Sequence, residues 1–149
     1  MLTIEHKQQE TEAESKPSEA PAFKPGIQLH FESGLLGFEA NKEFELILDE
    51  ELYPYQWLKG LDADQSFLVI PPSLAVGNYG VEVADDDVVL LDLKNPSDAG
   101  ILCIATYHPN EAVTINLKGP IVYHKKTGHA RQVVPLNAAS LSLSHPMGN

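Results

Sequence analysis

The sequence predicts a mainly β fold, a sandwich or barrel of short strands, and three observations carry that prediction. Apolar and polar residues alternate with a period of two in runs such as Ile27-Gln28-Leu29-His30-Phe31 and Tyr79-Gly80-Val81-Glu82-Val83. Glycine and proline mark breaks between such runs at regular intervals. Roughly eight runs of strand length fit into the chain, the pattern of an all-β domain. At 149 residues it is long enough for one domain with its own core and too short for two ordinary ones.

From Met1 to Pro25 the chain is rich in Glu, Lys, Gln, Ser, Pro and Ala, with Phe23 its one aromatic residue. Such a composition buries too little apolar surface to offset the entropy of ordering, so residues 1–25 are expected to form a disordered tail. They are not a signal peptide, because no apolar run of the required length follows the start. The β domain is expected over residues 26–141, with 142–149 fraying.

Ile27–Phe31 reads as the first strand of that domain. Gly34 and Gly37 then bracket a tight turn that presents Leu35, Leu36 and Phe38. Phe44–Leu48 is a second strand, ended by the acidic run Asp49-Glu50-Glu51. The aromatic stretch Tyr53–Lys59 is expected to form a single helical turn ending at Gly60. Ser66–Ile70 reads as a buried strand closed by Pro71-Pro72, and Tyr79–Val83 as another. Asp85-Asp86-Asp87 before Val88-Val89-Leu90-Leu91 favours a short helix, since acids at a helix start complement its dipole. The β-branched pair keeps a strand as the alternative. Gly100–Tyr107 is the strongest strand, apolar through most of its length. Ala112–Leu117 follows the turn His108-Pro109-Asn110, and Pro120–Tyr123 and Ala130–Val134 form a hairpin around Lys125-Lys126-Thr127-Gly128.

Charge is uneven along the chain. The net formal charge is −11, yet no acid follows Glu111, so residues 1–111 hold all 21 acids against six lysines, a net −15. Such a polyanion repels nucleic-acid phosphates and attracts basic protein surfaces, so direct RNA or DNA binding is disfavoured. No stretch approaches the roughly 18 to 20 apolar residues needed to span a bilayer. The single cysteine, Cys103, lies in an apolar run and reads as a small buried side chain. One lone thiol suits a reducing compartment, and the chain is expected to be soluble and cytoplasmic.

No catalytic, cofactor or metal site is expected. Three consecutive carboxylates at Asp85–Asp87 cannot converge on one ion, because neighbouring side chains fan out by about 100° in a helix and point apart in a strand. His108, His124 and His129 lack metal-ligand spacing and read as loop residues. Ser33–Gly37 lacks the lysine and hydroxyl of a phosphate loop. No nucleophile stands beside a base. What remains is surface, and the chain reads as a binding protein. Arg131, the only arginine, has a planar fork suited to a carboxylate either within the fold or across an interface. Leu35, Leu36, Phe38 and Trp57 are candidates for an apolar contact patch, with core packing as the alternative for each.

Five segments, taken in order, resemble the flagellar assembly factor FliW family: Phe31-Glu32-Ser33-Gly34-Leu35-Leu36-Gly37-Phe38, Trp57–Asp62, Phe67–Pro71, Thr114-Ile115-Asn116-Leu117-Lys118-Gly119-Pro120-Ile121-Val122 and Ala130–Val134. The resemblance runs from about Ile27 to about Leu141. It implies a compact barrel-like antiparallel β domain with short helical insertions. It also implies a factor for flagellum assembly that binds flagellin, and that binds and antagonises the carbon storage regulator, a small basic dimer repressing translation of flagellin mRNA. Partner exchange, with no covalent step, is the implied chemistry. An acidic chaperone for flagellin alone is the alternative.

Carried over by position, the motif residues are Phe31, Gly34, Leu35, Leu36, Gly37, Phe38, Trp57, Asn116, Leu117, Pro120, Arg131 and Gln132. Asp49, Glu50, Glu51, Asp85, Asp86 and Asp87 are the candidates for electrostatic attraction of the basic partner. The sequence departs from the family pattern in its tail of about 25 residues, in Gly119 where alanine is common, and in Arg131 where lysine is frequent. Its acid-free C-terminal part is better suited to flagellin than to the regulator.

Overall fold

Eleven strands and one helix follow one another in the computed structural model, which describes residues 1–7, 23–62, 64–110 and 112–147. They are β1 Leu2–Lys7, β2 Phe23–Phe31, β3 Glu43–Asp49, β4 Gln56–Gly60, β5 Ser66–Ile70, β6 Asn78–Val83, α1 Asp85–Leu91, β7 Ala99–Tyr107, β8 Val113–Ile115, β9 Ile121–His124, β10 His129–Gln132 and β11 His145–Pro146. Seven strands close into a barrel in the order β7-β5-β4-β3-β2-β10-β9, with β9 pairing back onto β7. Every pair in the ring is antiparallel except β10 beside β2, which runs parallel with His129 opposite His30.

Alternation along the strands sends one face inward. Leu29 and Phe31 of β2, Phe44 and Leu46 of β3, Leu58 of β4, Val69 of β5, Leu102 of β7, Ile121 of β9 and Ala130 of β10 form the barrel interior. Phe31 and Phe44 meet edge to face at 5.3 Å between ring centroids, a favoured aromatic geometry. The other face of β7 does not meet water. Ile101, Cys103 and Ala105 pack with Ile70 against Ile4 of β1 and Tyr79, Val81 and Val83 of β6, an antiparallel ribbon lying over the barrel. A strand buried on both sides has no use for polar residues, which is why Gly100–Tyr107 is apolar almost throughout.

Within this second core the Tyr79 hydroxyl donates to the Leu117 carbonyl at 2.6 Å. Burial raises the Tyr79 hydroxyl above its usual range and pushes the Cys103 thiol up to about 12.

Three expectations are corrected. Leu2–Lys7 is a strand, each residue in register with β6. Ile4 sits in the second core, so the local period of two outweighs the polar composition averaged over residues 1–25. Phe23–Pro25 likewise belongs to β2, with Phe23 opposite Asp49. The rest of the expected tail, residues 8–22, lies outside the described residues.

The helical turn expected over Tyr53–Lys59 falls earlier, at Glu50–Leu52, where the Asp49 carboxylate accepts the Glu51 N–H at 3.0 Å. Gln56–Gly60 is instead a strand, because Leu58 fills the barrel and both edges pair, with β3 and β5. At the C-terminus, expected to fray over 142–149, His145–Pro146 pairs with β8 and the Met147 N–H donates to Val113. Residues 148–149 lie outside the described residues. Of the two readings of Asp85–Leu91 the helix is the one formed; its cap is Ala84, and the three aspartates fill the first turn.

Truncating Phe44 to alanine removes an aromatic ring from the barrel interior and is expected to lower unfolding free energy by about 3–5 kcal/mol in urea titration. A loss under 1 kcal/mol would show that the barrel is not the cooperative core. Cys103 is expected to react with a maleimide at pH 7 only in step with global unfolding, since a buried thiol so raised supplies almost no thiolate. Rapid labelling without denaturant would mean that the second core opens locally.

Candidate functional site

The chain leaves β2 through a turn that only glycine accommodates at two points. Gly34 and Gly37 have φ of 68° and 87°, and a side chain on Gly34 would meet the Glu39 backbone at 2.5 Å. The Gly34 N–H donates to the Phe31 carbonyl at 3.0 Å and the Phe38 N–H to Leu35 at 2.8 Å. This tight path turns Leu35 inward, where it joins the barrel interior. Leu36 is left 60% exposed and Phe38 38% exposed. The Phe38 ring meets Phe67 of β5 edge on at 5.2 Å. Glu39 accepts the Gly37 N–H at 3.1 Å, which holds its carboxyl below the usual range.

A second turn faces the first. The Asn116 side-chain oxygen accepts the N–H groups of Lys118 and Gly119, each at 3.0 Å. Gln132 joins the two turns. Its amide NH₂ donates to the Gly119 carbonyl at 2.9 Å, while its oxygen accepts the Leu36 N–H at 3.0 Å. One side chain thereby satisfies a backbone donor and acceptor that would otherwise face an apolar opening.

Between the turns lies the mouth of the barrel. β7 pairs with β9 along Ala99–Leu102 and with β8 along Ala105–Tyr107. The neighbour changes in mid-strand, and the inward residues Ile104 and Thr106 beyond that point line a groove of about 420 Å³. Leu36, Phe38 and Phe67 form its apolar wall, and Leu143 adds a second exposed leucine. His108, Thr114, Asn116, Gln132 and Ser144 supply hydrogen-bonding groups, and among the described residues no Asp, Glu, Lys or Arg lines it. His108 Nε2 and the Thr114 hydroxyl are 2.9 Å apart. Such a lining suits an apolar side chain or a strand of peptide rather than an ion.

The structure distributes the motif residues by role. Phe31, Leu35 and Leu117 are core, and Pro120 is buried, its carbonyl accepting the Val133 N–H at 2.9 Å. Gly34 and Gly37 shape the turn; Leu36, Phe38, Asn116 and Gln132 line the mouth. Trp57 is not brought to them. It lies on the outer face of β4 in a separate groove with Ile47, Asp49, Lys59 and Ser66. Arg131 Nε sits 2.9 Å from Asp87 Oδ1, so of its two readings the ion pair within the fold is the one formed. Burial raises the Asp87 carboxyl, with Arg131 opposing that shift and Asp86 adding to it.

Asp85 pairs with the N-terminal amine. Two of the three helix-start acids are therefore paired within the chain, Asp87 largely out of solvent and Asp85 at the surface. Ile104, Thr106 and Leu143 were not singled out in the sequence, and Phe67 and Thr114 entered only as members of the resembling segments. The even-numbered face of the apolar run 100–107 was the only available signal for Ile104 and Thr106. No helix among the described residues is long and apolar enough to cross a membrane.

Known proteins resemble this chain in sequence and in fold. The family model for FliW protein matches residues 8–147. A flagellar assembly factor FliW of Thermotoga neapolitana is 36% identical over 111 residues, covering 72% of this chain and 74% of that one. One from Bacillus subtilis is 33% identical over 120 residues, covering 79% and 83%. A crystal structure of the flagellar assembly factor FliW matches with a TM-score of 0.72 at 26% identity, over 80% of this chain and 84% of that one.

Arg131→Ala leaves a carboxylate only 13% exposed without its cation, and is expected to cost about 1–3 kcal/mol of stability at pH 7. Without Arg131 the Asp87 carboxyl rises further. A raised carboxyl binds its proton more tightly folded than unfolded, so the penalty grows as pH rises above the ordinary carboxylate range and shrinks on acidification toward pH 4. Urea titrations of both proteins at pH 7 and pH 5 measure this; a penalty larger at pH 5 would contradict it.

Proposed function

The chain belongs to the FliW family of flagellar assembly factors, and on that premise we propose that it works by partner exchange, holding flagellin in one state and the carbon storage regulator in the other. The observation that carries this reading is the barrel mouth. Four of the five sequence segments that resemble the family place residues there: Leu36 and Phe38 from the first, Phe67 from the third, Asn116 from the fourth and Gln132 from the fifth. Residues from segments 96 positions apart in the chain are locked together by the Gln132 amide.

The mouth has an apolar wall and, among the described residues, no formal charge, which fits an apolar segment of flagellin. The net charge of −11 fits capture of the regulator as a basic protein and disfavours direct contact with RNA. Captured regulator no longer represses flagellin mRNA; flagellin seated on this protein releases it. Both partners are made or used in the cytoplasm, so the reading places the protein there, with no enzymatic step.

Calorimetric titration with the regulator of the same organism, followed by flagellin, tests the exchange. The expected result is binding to each, with flagellin displacing the regulator. Leu36→Asp is expected to weaken flagellin binding by about 30-fold or more with an unchanged melting temperature, because Leu36 is exposed. Binding to flagellin without any to the regulator would reduce the protein to a chaperone; binding to neither would refute the reading.

A further inference from the structure

Alternation that sends Leu46, Leu58 and Phe67 inward sends Ile47, Trp57 and Leu68 outward. Those three are register neighbours, Ile47 opposite Trp57 on β3 and β4, and Trp57 opposite Leu68 on β4 and β5. Leu68 in turn faces Ala105 of β7, and both touch the second core. An apolar stripe thus runs out from beneath the β1–β6 ribbon and emerges at Trp57, which is 39% exposed. Beside it lies an open groove of about 310 Å³, floored by Ile47 and edged by Asp49, Lys59 and Ser66.

Charge around this groove is one-sided. Asp49 lines it, and Glu50 and Glu51 continue outward as an exposed turn whose geometry Asp49 fixes through the Glu51 N–H. Among the described residues Lys59 is the one cation in the lining, and it stands opposite Glu45 in the strand register. The acids at the other end have no such counterpart among the described residues of the lining. An indole in an apolar slot with acids on one rim matches the interface pattern of an aromatic anchor beside charges that steer the partner.

We propose that this groove is a docking site for a basic protein surface, which seats an apolar side chain against Trp57 and sets lysines or arginines against Asp49, Glu50 and Glu51. The proposal rests on the exchange reading above, where that basic partner is the carbon storage regulator, and it separates the regulator's site from the mouth. The two openings share β5: Phe67 lines the mouth and its chain neighbour Ser66 lines the groove. The proposal therefore includes that a protein seated at one opening excludes a protein at the other.

The test uses the full chain with the regulator and flagellin as probes, in calorimetry at about 50 and 200 mM salt. Wild type is expected to bind the regulator with affinity that falls as salt rises. Glu50→Lys combined with Glu51→Lys is expected to weaken that binding by about tenfold or more and flatten the salt dependence. Lys59→Glu is expected to strengthen it, and Trp57→Ala to weaken it at both salts. Flagellin alone is expected to bind all four proteins equally, with unchanged melting temperatures for the charge variants.

Unaltered regulator affinity in the charge variants, beside intact wild-type binding, would overturn this site while leaving the exchange reading standing. Failure of wild type to bind the regulator would overturn both. Loss of flagellin instead, or a wild-type dimer that Trp57→Ala dissociates in sedimentation, would hand the groove to a different occupant and equally overturn the proposal.

Discussion

The burial of β7 on both faces is the constraint on which the remaining structure depends. Its even residues Leu102 and Ile104 belong with the barrel interior, and its odd residues Ile101, Cys103 and Ala105 with the second core. A strand with no polar face cannot close a barrel at the surface; it must be covered. The β1–β6 ribbon does this, and its free edge is closed in turn by the chain after β10. There the Leu136 N–H donates to Glu82 at 2.8 Å, and the Asn137 side chain bonds Glu82 and Gly80 at 3.0 Å each. The same strand also sets the site. Exchanging β9 for β8 in mid-strand leaves Ile104 and Thr106 facing inward where no barrel neighbour continues, and an opening results.

The sequence was legible where periodicity is local. Runs such as 27–31, 66–70 and 79–83 became strands because one face of each meets a core. The glycine-framed turn after Phe31 was also legible, since φ values above 60° at Gly34 and Gly37 are costly for other residues. Leu2–Lys7 was not, because two apolar residues in a polar composition carry weight only once β6 lies beside them. Trp57 was misplaced for the converse reason. An aromatic run looks like a helical turn until strand pairing on both edges decides otherwise, and tertiary pairing outweighs local propensity.

The site was half legible. Which of two adjacent leucines turns inward depends on the φ of their flanking glycines, and Leu35 and Leu36 are indistinguishable by type. Gln132 is more telling. Nothing in its local sequence marks it, because both its partners are backbone groups of distant turns. An apolar glutamine replacement would fill the same space while leaving an N–H and a carbonyl unpaired at the rim. Position-specific pressure on such a residue comes from polar satisfaction rather than from packing.

Net charge proved a coarse guide to surface character, and the reason lies in where the acids go. Asp87 is consumed by Arg131, and Asp85 is paired with the chain's own amine while still exposed. In the aspartate triplet that dominates the sequence, only Asp86 is both exposed and without a pairing cation among the described residues. Asp49 is spent partly on holding a turn, yet that turn is what projects Glu50 and Glu51. Charge engaged inside the fold steers little, whereas charge held outward on a fixed turn acts on a partner before contact. On the docking proposed above, the acids that count are the ones that a local cap positions and that no cation among the described residues neutralises. That criterion favours the β3–β4 turn over the helix start, although the helix start carries the denser run.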